Sequence, residues 1–238
     1  FPLTTATEIR ELPDGRFEIS TVKSDSWLGI KKKFIASEVV VAAGTYNTQK
    51  LLHAQKEEGA LPKISDRLGD LTRTNSEALT GALMKNTEID FTKGAAITSS
   101  FFPDENTHVE PVRYGKGSNA MGLLQTIATD GFSPADRRKH WLRQFILNPF
   151  LIKRILNVRN WSERSVIALV MQNIDSSISV RAKKRPTGWG LTSTNDSEHP
   201  NVTYIPAANE VVRRIAKKHD GIAVGNVGEL IGAPFTAH

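Results

Sequence analysis

The sequence predicts an α/β fold with an α+β later part: a three-stranded antiparallel meander, a strand–turn–helix unit, and then a mixed sheet with helices. Three observations carry this. Alternating runs flank a Pro-Asp-Gly turn at the start; "ASEVVVAAGTYNTQKLL" (Ala36 to Leu52) reads as a strand buried on both faces, a glycine turn and a helix; and later extended runs are interleaved with helical periodicity. With 238 residues, 39% of them hydrophobic and 24% charged, the chain is long enough for one large domain or parts of two.

Taken in order, "TTATEIREL" (Thr4 to Leu12) alternates, "PDGR" (Pro13 to Arg16) turns, and "FEISTVKS" (Phe17 to Ser24) alternates again, which makes a hairpin. A third extended run from about Gly29 completes the meander and leads into the apolar strand, and a helix is expected over Thr45 to Lys56. Further on, extended runs at Ala78 to Lys85, Ala95 to Phe102, His108 to Tyr114, Val166 to Gln172 and Ile178 to Arg185 have the alternation of a sheet covered on one side. "TGWGLTSTNDSEHPN" (Thr187 to Asn201) reads as a loop. In "AANEVVRRIAKKHDG" (Ala207 to Gly221), Val211, Val212, Ile215 and Ala216 recur at helical spacing, with the cations on a solvated face.

Charge and composition exclude several classes. The net charge is +6, but the cations are spread in small clusters rather than gathered on one stripe, so no nucleic acid partner is expected. There is no cysteine, which removes disulfides, thiol catalysis and cysteine metal sites, and the histidines lack the spacing of a ligand set, so no metal is expected. No apolar run approaches the roughly 18 to 20 residues of a membrane span. A cytoplasmic or membrane-peripheral location is expected, with secretion left open because the chain starts at Phe1.

The strand–turn–helix unit has one glycine, Gly44, where a phosphate-cradling turn needs several. From the residues alone, Gly44 is equally the glycine of any α/β turn, with Thr45 in place to cap the helix. The order of elements, however, resembles the later part of the FAD/NAD(P)-binding, Rossmann-like domain of two-dinucleotide-type flavoproteins. In these an antiparallel meander returns to the parallel sheet through a strand ending in Ala-Ala-Gly. "GALPKISDRLGDLTRTNSEALTGAL" (Gly59 to Leu83), "KGAAITSSFF" (Lys93 to Phe102), "HVEPVRYGKGS" (His108 to Ser118), "SVIALVMQNID" (Ser165 to Asp175) and "APFTAH" (Ala233 to His238) follow in the order found in glucose-methanol-choline (GMC) oxidoreductases of the cholesterol-oxidase-like branch.

That resemblance implies an internal piece of an FAD-dependent oxidoreductase acting on a CH–OH group, with residues 1–60 the end of the FAD domain and 61–238 the substrate domain. It implies a 3β-hydroxysteroid substrate such as cholesterol, oxidised to the ketone, with movement of a ring double bond as a coupled step. Because the family's glycine fingerprint and its flavin-closing segments fall outside these residues, the chain by itself is expected neither to hold FAD nor to be active. A dehydrogenase passing electrons to an acceptor other than oxygen, and a lipid- or membrane-surface-binding protein without redox chemistry, are the alternative readings.

The resemblance also implies site residues. Glu110, on a strand and followed by Pro111, corresponds to the carboxylate that moves a steroid proton, against the plainer reading of a solvated strand-edge glutamate. His238 corresponds to the active-site histidine bonded to the substrate oxygen. For FAD, Ala6 corresponds to backbone beside the adenine, Ala43 and Gly44 to the strand end, and Asn75 and Asn119 are further candidates. Finally, "RRKHWLRQFILNPFLIKRILNVRNW" (Arg137 to Trp161) is basic, amphipathic and broken by Pro149. It reads either as a bilayer-facing cover with Trp141 and Trp161 at its ends, or as ordinary packed helices with snorkelling cations.

Overall fold

A computed structural model of the chain describes residues 1–85 and 88–233. In chain order the elements are β1 (Thr4–Glu11), β2 (Phe17–Lys23), β3 (Lys31–Ala36), α1 (Gly44–Glu57), the two-residue β4 (Thr72–Arg73), β5 (Ala78–Met84), β6 (Phe101–Asp104) and β7 (Thr107–Val112). A 3-10 turn (Asn119–Leu124) then leads to β8 (Gln125–Ile127), α2 (Pro134–Leu147), α3 (Pro149–Leu156), α4 (Trp161–Arg164), β9 (Ser165–Gln172), β10 (Ser177–Arg185), β11 (Gly188–Asn195), α5 (Pro206–Lys218), β12 (Gly221–Asn226) and α6 (Val227–Ile231). They divide into two compact units, Phe1–Thr72 with Ser177–His199, and Arg73–Ser176 with the chain from Pro200 onward. The break therefore falls near residue 72, and a later hairpin belongs with the first unit.

In the first unit the meander forms as expected, in the order β1–β2–β3, with Ile9 opposite Ile19 and Phe17 opposite Ala36. Helix α1 is tied to it by the buried Gln55, whose Oε1 accepts from the Ile9 amide at 3.1 Å. The apolar run before α1 is not a strand. Residues 37–43 carry no ladder, and Val40 is 90% exposed. A strand buried on both faces needs a hydrogen-bonded neighbour on each side, and none of the described strands pairs with it. Thr45 is not the cap either: the helix begins after Ala43, whose amide donates to Thr48 Oγ1 at 3.1 Å. The expected loop at 187–201 is instead strand β11 as far as Asn195, because β10 supplies a full antiparallel ladder from Ile178 opposite Asn195 to Arg185 opposite Gly188.

The second unit is built on a six-stranded sheet in the order β6–β7–β9–β5–β12–β8. The α/β class stands, but this sheet is antiparallel at every pair rather than mixed, since each strand returns beside a neighbour running the other way. Of the extended run Ala95 to Phe102, only Phe101 onward is strand, with Ile97 making an isolated bridge to Val112. On one face, Val211, Val212 and Ala208 of α5 pack on Ala78, Val109, Ala168 and Val170. The other face is also covered at its β5–β12–β8 side, where Ile155, Trp161 and their neighbours pack on Leu83, Ile127 and Val224. The sheet is thus a partial sandwich, and its second face stays open toward β9 and β7.

Candidate functional site

The antiparallel register sets which side chains share the open face. Glu110 of β7 stands opposite Leu169 of β9, and Leu169 opposite Leu79 of β5; in the next row Val112, Ile167, Gly81 and Val224 follow one another across four strands. Directly opposed residues point to the same side of a sheet. A narrow groove of about 70 Å³ runs over this second row, floored by Leu79, Gly81, Ile167 and Val224 and walled by Tyr114, Met121, Leu124 and Trp161. Gly81 is required there, because a Cβ would stand 2.8 Å from the Val166 carbonyl oxygen. The wall is fixed by hydrogen bonds: Trp161 Nε1 donates to Gln125 Oε1 at 2.7 Å, and Gln125 Nε2 donates to the Ile155 carbonyl at 2.7 Å.

Glu110 lies at the open end of this face with its side chain 24% exposed, and His108 Nε2 is 3.8 Å from its Oε1. The Phe102 ring stacks on His108 with centroids 4.8 Å apart. The arrangement is a carboxylate and an imidazole side by side, edged by aromatic and aliphatic groups, which is what moving a proton at the edge of an apolar ligand needs. Sequence reading singled out Glu110 and passed over His108, although an i, i+2 pair on a strand was the signal.

None of the protein-family profiles matches the chain. Among curated proteins, cholesterol oxidases from two strains of Mycobacterium tuberculosis (CDC 1551 / Oshkosh and ATCC 25618 / H37Rv) are 49% identical to it over 246 aligned residues, which is 100% of this chain and 42% of theirs. The cholesterol oxidase of Acinetobacter baumannii is 36% identical over 225 residues, 93% of this chain and 40% of that protein. Over its whole length the chain is homologous to part of these cholesterol oxidases. It spans less than half the length of the curated relatives it matches.

The remaining candidates of this cholesterol-oxidase homologue fall in separate places. Ala6, Ala43 and Gly44 are exposed in the first unit; Gly44 has φ +72°, and the space where its Cβ would stand is open. In the second unit, Asn119 is held within the fold, its Oδ1 accepting from the Ser162 amide at 3.0 Å. Asn75 donates from Nδ2 to Glu77 Oε2 at 3.0 Å, while its buried Oδ1 has no hydrogen-bond partner among the described residues. His238 lies outside the described residues. Among the described residues no cluster of three or more His, Cys, Asp or Glu could hold a metal ion, and no helix is long and apolar enough to cross a membrane.

A second polar centre was not anticipated. Arg137, placed among the surface cations by its sequence context, is completely buried: its Nε donates to the Glu229 carbonyl oxygen at 2.6 Å and its Nη1 to the Gly131 carbonyl at 2.7 Å. Glu229 lines a cavity of about 10 Å³ together with Glu77, Thr203, Tyr204 and Ala233. Burial pushes the Glu229 carboxyl up to about 7, with Arg137 pulling the other way. Nearby, Tyr204 donates to Asp130 Oδ1 at 2.8 Å, and burial together with that bond pushes its hydroxyl up to about 12. Burial acts to raise Asp130, but Arg213, Asn209 and Tyr204 outweigh it and hold the carboxyl low.

Trp161 is 5% exposed and Trp141 donates to Thr126 Oγ1 at 2.8 Å, so neither tryptophan of the 137–161 stretch is presented outward. What α2 and α3 do present is Leu142, Phe145, Ile146, Leu147, Phe150 and Leu156, with Phe150 82% exposed.

Proposed function

We propose that the whole protein is an FAD-dependent oxidoreductase of the GMC type that oxidises the hydroxyl-bearing carbon of a 3β-hydroxysteroid to a ketone, with double-bond isomerisation as a coupled step. In this reading the chain supplies the end of the FAD domain and the substrate domain. The observation that carries it is the apolar face running from the Trp161 groove to Glu110 in a chain 49% identical to proteins named cholesterol oxidase.

The groove, at about 70 Å³, is well below the roughly 300–1,000 Å³ of pockets that enclose a drug-sized ligand. A four-ring sterol therefore extends along the open face, past Ile167 and Leu169, and brings one end to Glu110 and His108. Flat aliphatic rows suit a rigid polycyclic ligand because they bury its surface without demanding polar partners. Glu110 then takes the proton from one ring carbon and returns it to another, with the His108 imidazole 3.8 Å from its carboxyl.

When bound, FAD supplies hydride acceptance. The features here that fit it are local: an open, positive-φ Gly44 with the exposed Ala43 at the start of the 14-residue helix α1, where free amides face outward. Ala6 belongs to the same reading. Membrane-dissolved sterol also gives the exposed apolar residues of α2 and α3 a role as a bilayer contact.

The test is Glu110→Gln in the full-length protein, with oxidation, isomerisation and flavin content measured separately. Isomerisation should fall by about 100-fold to 10,000-fold, oxidation only moderately, and flavin content not at all. Equal loss of both activities at normal flavin content would remove Glu110 from the base role.

A further inference from the structure

The connection between β2 and β3 breaks the usual rule for turn composition. Its sequence is "SDSWLGI" (Ser24 to Ile30), and a turn closes within it where the Gly29 amide donates to the Ser26 carbonyl at 3.1 Å. The two central positions of that turn are Trp27 and Leu28. Turn centres are normally Gly, Asn, Asp, Ser or Pro, which solve local backbone problems and stay solvated; only Gly29, at φ +61°, meets that need here. Trp27 is 103% exposed, Leu28 90% and Ile30 50%.

The tip is held rather than loose. At its base the Lys23 amide donates to the Ile30 carbonyl at 2.9 Å and the Ser24 amide to the Leu3 carbonyl at 2.8 Å. A rigid hairpin end that offers an indole and an isobutyl group to water gains nothing for folding, so the residues answer to a partner.

The surrounding charge names the partner's chemistry. Residues 23–33 hold four lysines, Lys23, Lys31, Lys32 and Lys33, against the single acid Asp25. Asp25 is 3.4 Å from Lys23 and Lys33 bonds Glu18 at 2.8 Å, while Lys31 and Lys32 are exposed and form no ion pair among the described residues. A protein partner that took Trp27 into a pocket would have to desolvate a collar of lysines, which are depleted from such interfaces. An anionic bilayer requires no such desolvation: Trp settles at the headgroup level, leucine enters the acyl boundary, and lysines reach the lipid phosphates while staying hydrated. We propose that the Trp27–Leu28 tip is a membrane anchor for anionic lipid surfaces, supplied by the first unit and separate from the apolar face of α2 and α3. It rests on its own residues, so its failure would leave the sterol reading untouched.

The experiment uses the full-length protein with vesicles of phosphatidylcholine, with and without phosphatidylglycerol, some carrying brominated acyl chains. Bromolipid quenching of tryptophan emission should appear on the anionic vesicles and lose its main component in Trp27→Ala, while Trp189→Phe retains it. Trp27→Ala should weaken anionic-vesicle binding roughly tenfold, and Lys31→Gln with Lys32→Gln should weaken it by a similar factor and reduce its salt dependence. Trp27, Lys31 and Lys32 are all exposed, so folding should be unchanged in the variants at these positions. Unaltered vesicle binding and quenching in Trp27→Ala would overturn the proposal. So would a Trp27 already shielded from aqueous acrylamide without lipid, which would mean that another part of the protein covers the tip.

Discussion

Two buried or half-buried glutamates divide the chemistry of single residues between them. Glu110 stands out in the sequence because it sits in an apolar strand beside a proline; Glu229 does not, because the Arg137 guanidinium that meets its carbonyl oxygen comes from 92 positions away. Charge runs are read as solvated by default, and nothing local marks Arg137 as the one drawn inside. The Glu229 carboxyl is raised from the usual 4.5 to about 7, so the fold favours its neutral form. Its contribution is complete below the unfolded value and is lost as pH rises through about 7. Against burial, Arg137 favours ionisation; Glu77 lines the same small cavity. Glu229→Gln should therefore remove a loss of stability on the order of 2–3 kcal/mol between about pH 5 and 8. Thermal melts of wild type and variant across that range check it, and parallel pH profiles would count against it.

At the scale of elements, periodicity served well where one face is buried and poorly where burial depends on a neighbour. Helix α5 was readable because Val211, Val212 and Ala216 recur at its spacing and all three are buried. Val212 is 0% exposed against Val109 and Val170, so Val212→Ala should cost about 2 kcal/mol with no change in ligand affinity. Denaturant unfolding measures it, and a cost near zero would mean that α5 repacks. The run at 37–43 misled because a continuous apolar stretch says "buried strand" only if strands flank it, and pairing is not encoded in the segment itself. Of the two readings of the 137–161 stretch, the cover led by its tryptophans does not hold, since indole N–H groups seek partners and both found them inside, at Thr126 and Gln125. If α2 and α3 meet a bilayer, Ile146→Ser with Phe150→Ser should lower liposome co-sedimentation several-fold, while Trp141→Phe should leave it nearly unchanged. The reverse order of effects would return the role to the tryptophan.

For the molecule as a whole, the sheet places the Glu110–His108 pair at the end of an apolar face, and the relatives that match the chain are all named cholesterol oxidase. The class of fold and the meander were visible in alternation alone. The hairpin of 177–199 joining the first unit was not, because long-range pairing between segments more than a hundred residues apart leaves no local trace. The central claim is that this face presents a sterol alcohol for oxidation rather than merely holding a lipid. The most direct measurement is anaerobic addition of a 3β-hydroxysteroid to the full-length, flavin-loaded protein, following flavin absorbance and the steroid product together. The account predicts bleaching of the oxidised flavin with one ketone formed per flavin reduced. Sterol that binds while the flavin stays oxidised and no ketone forms would contradict it.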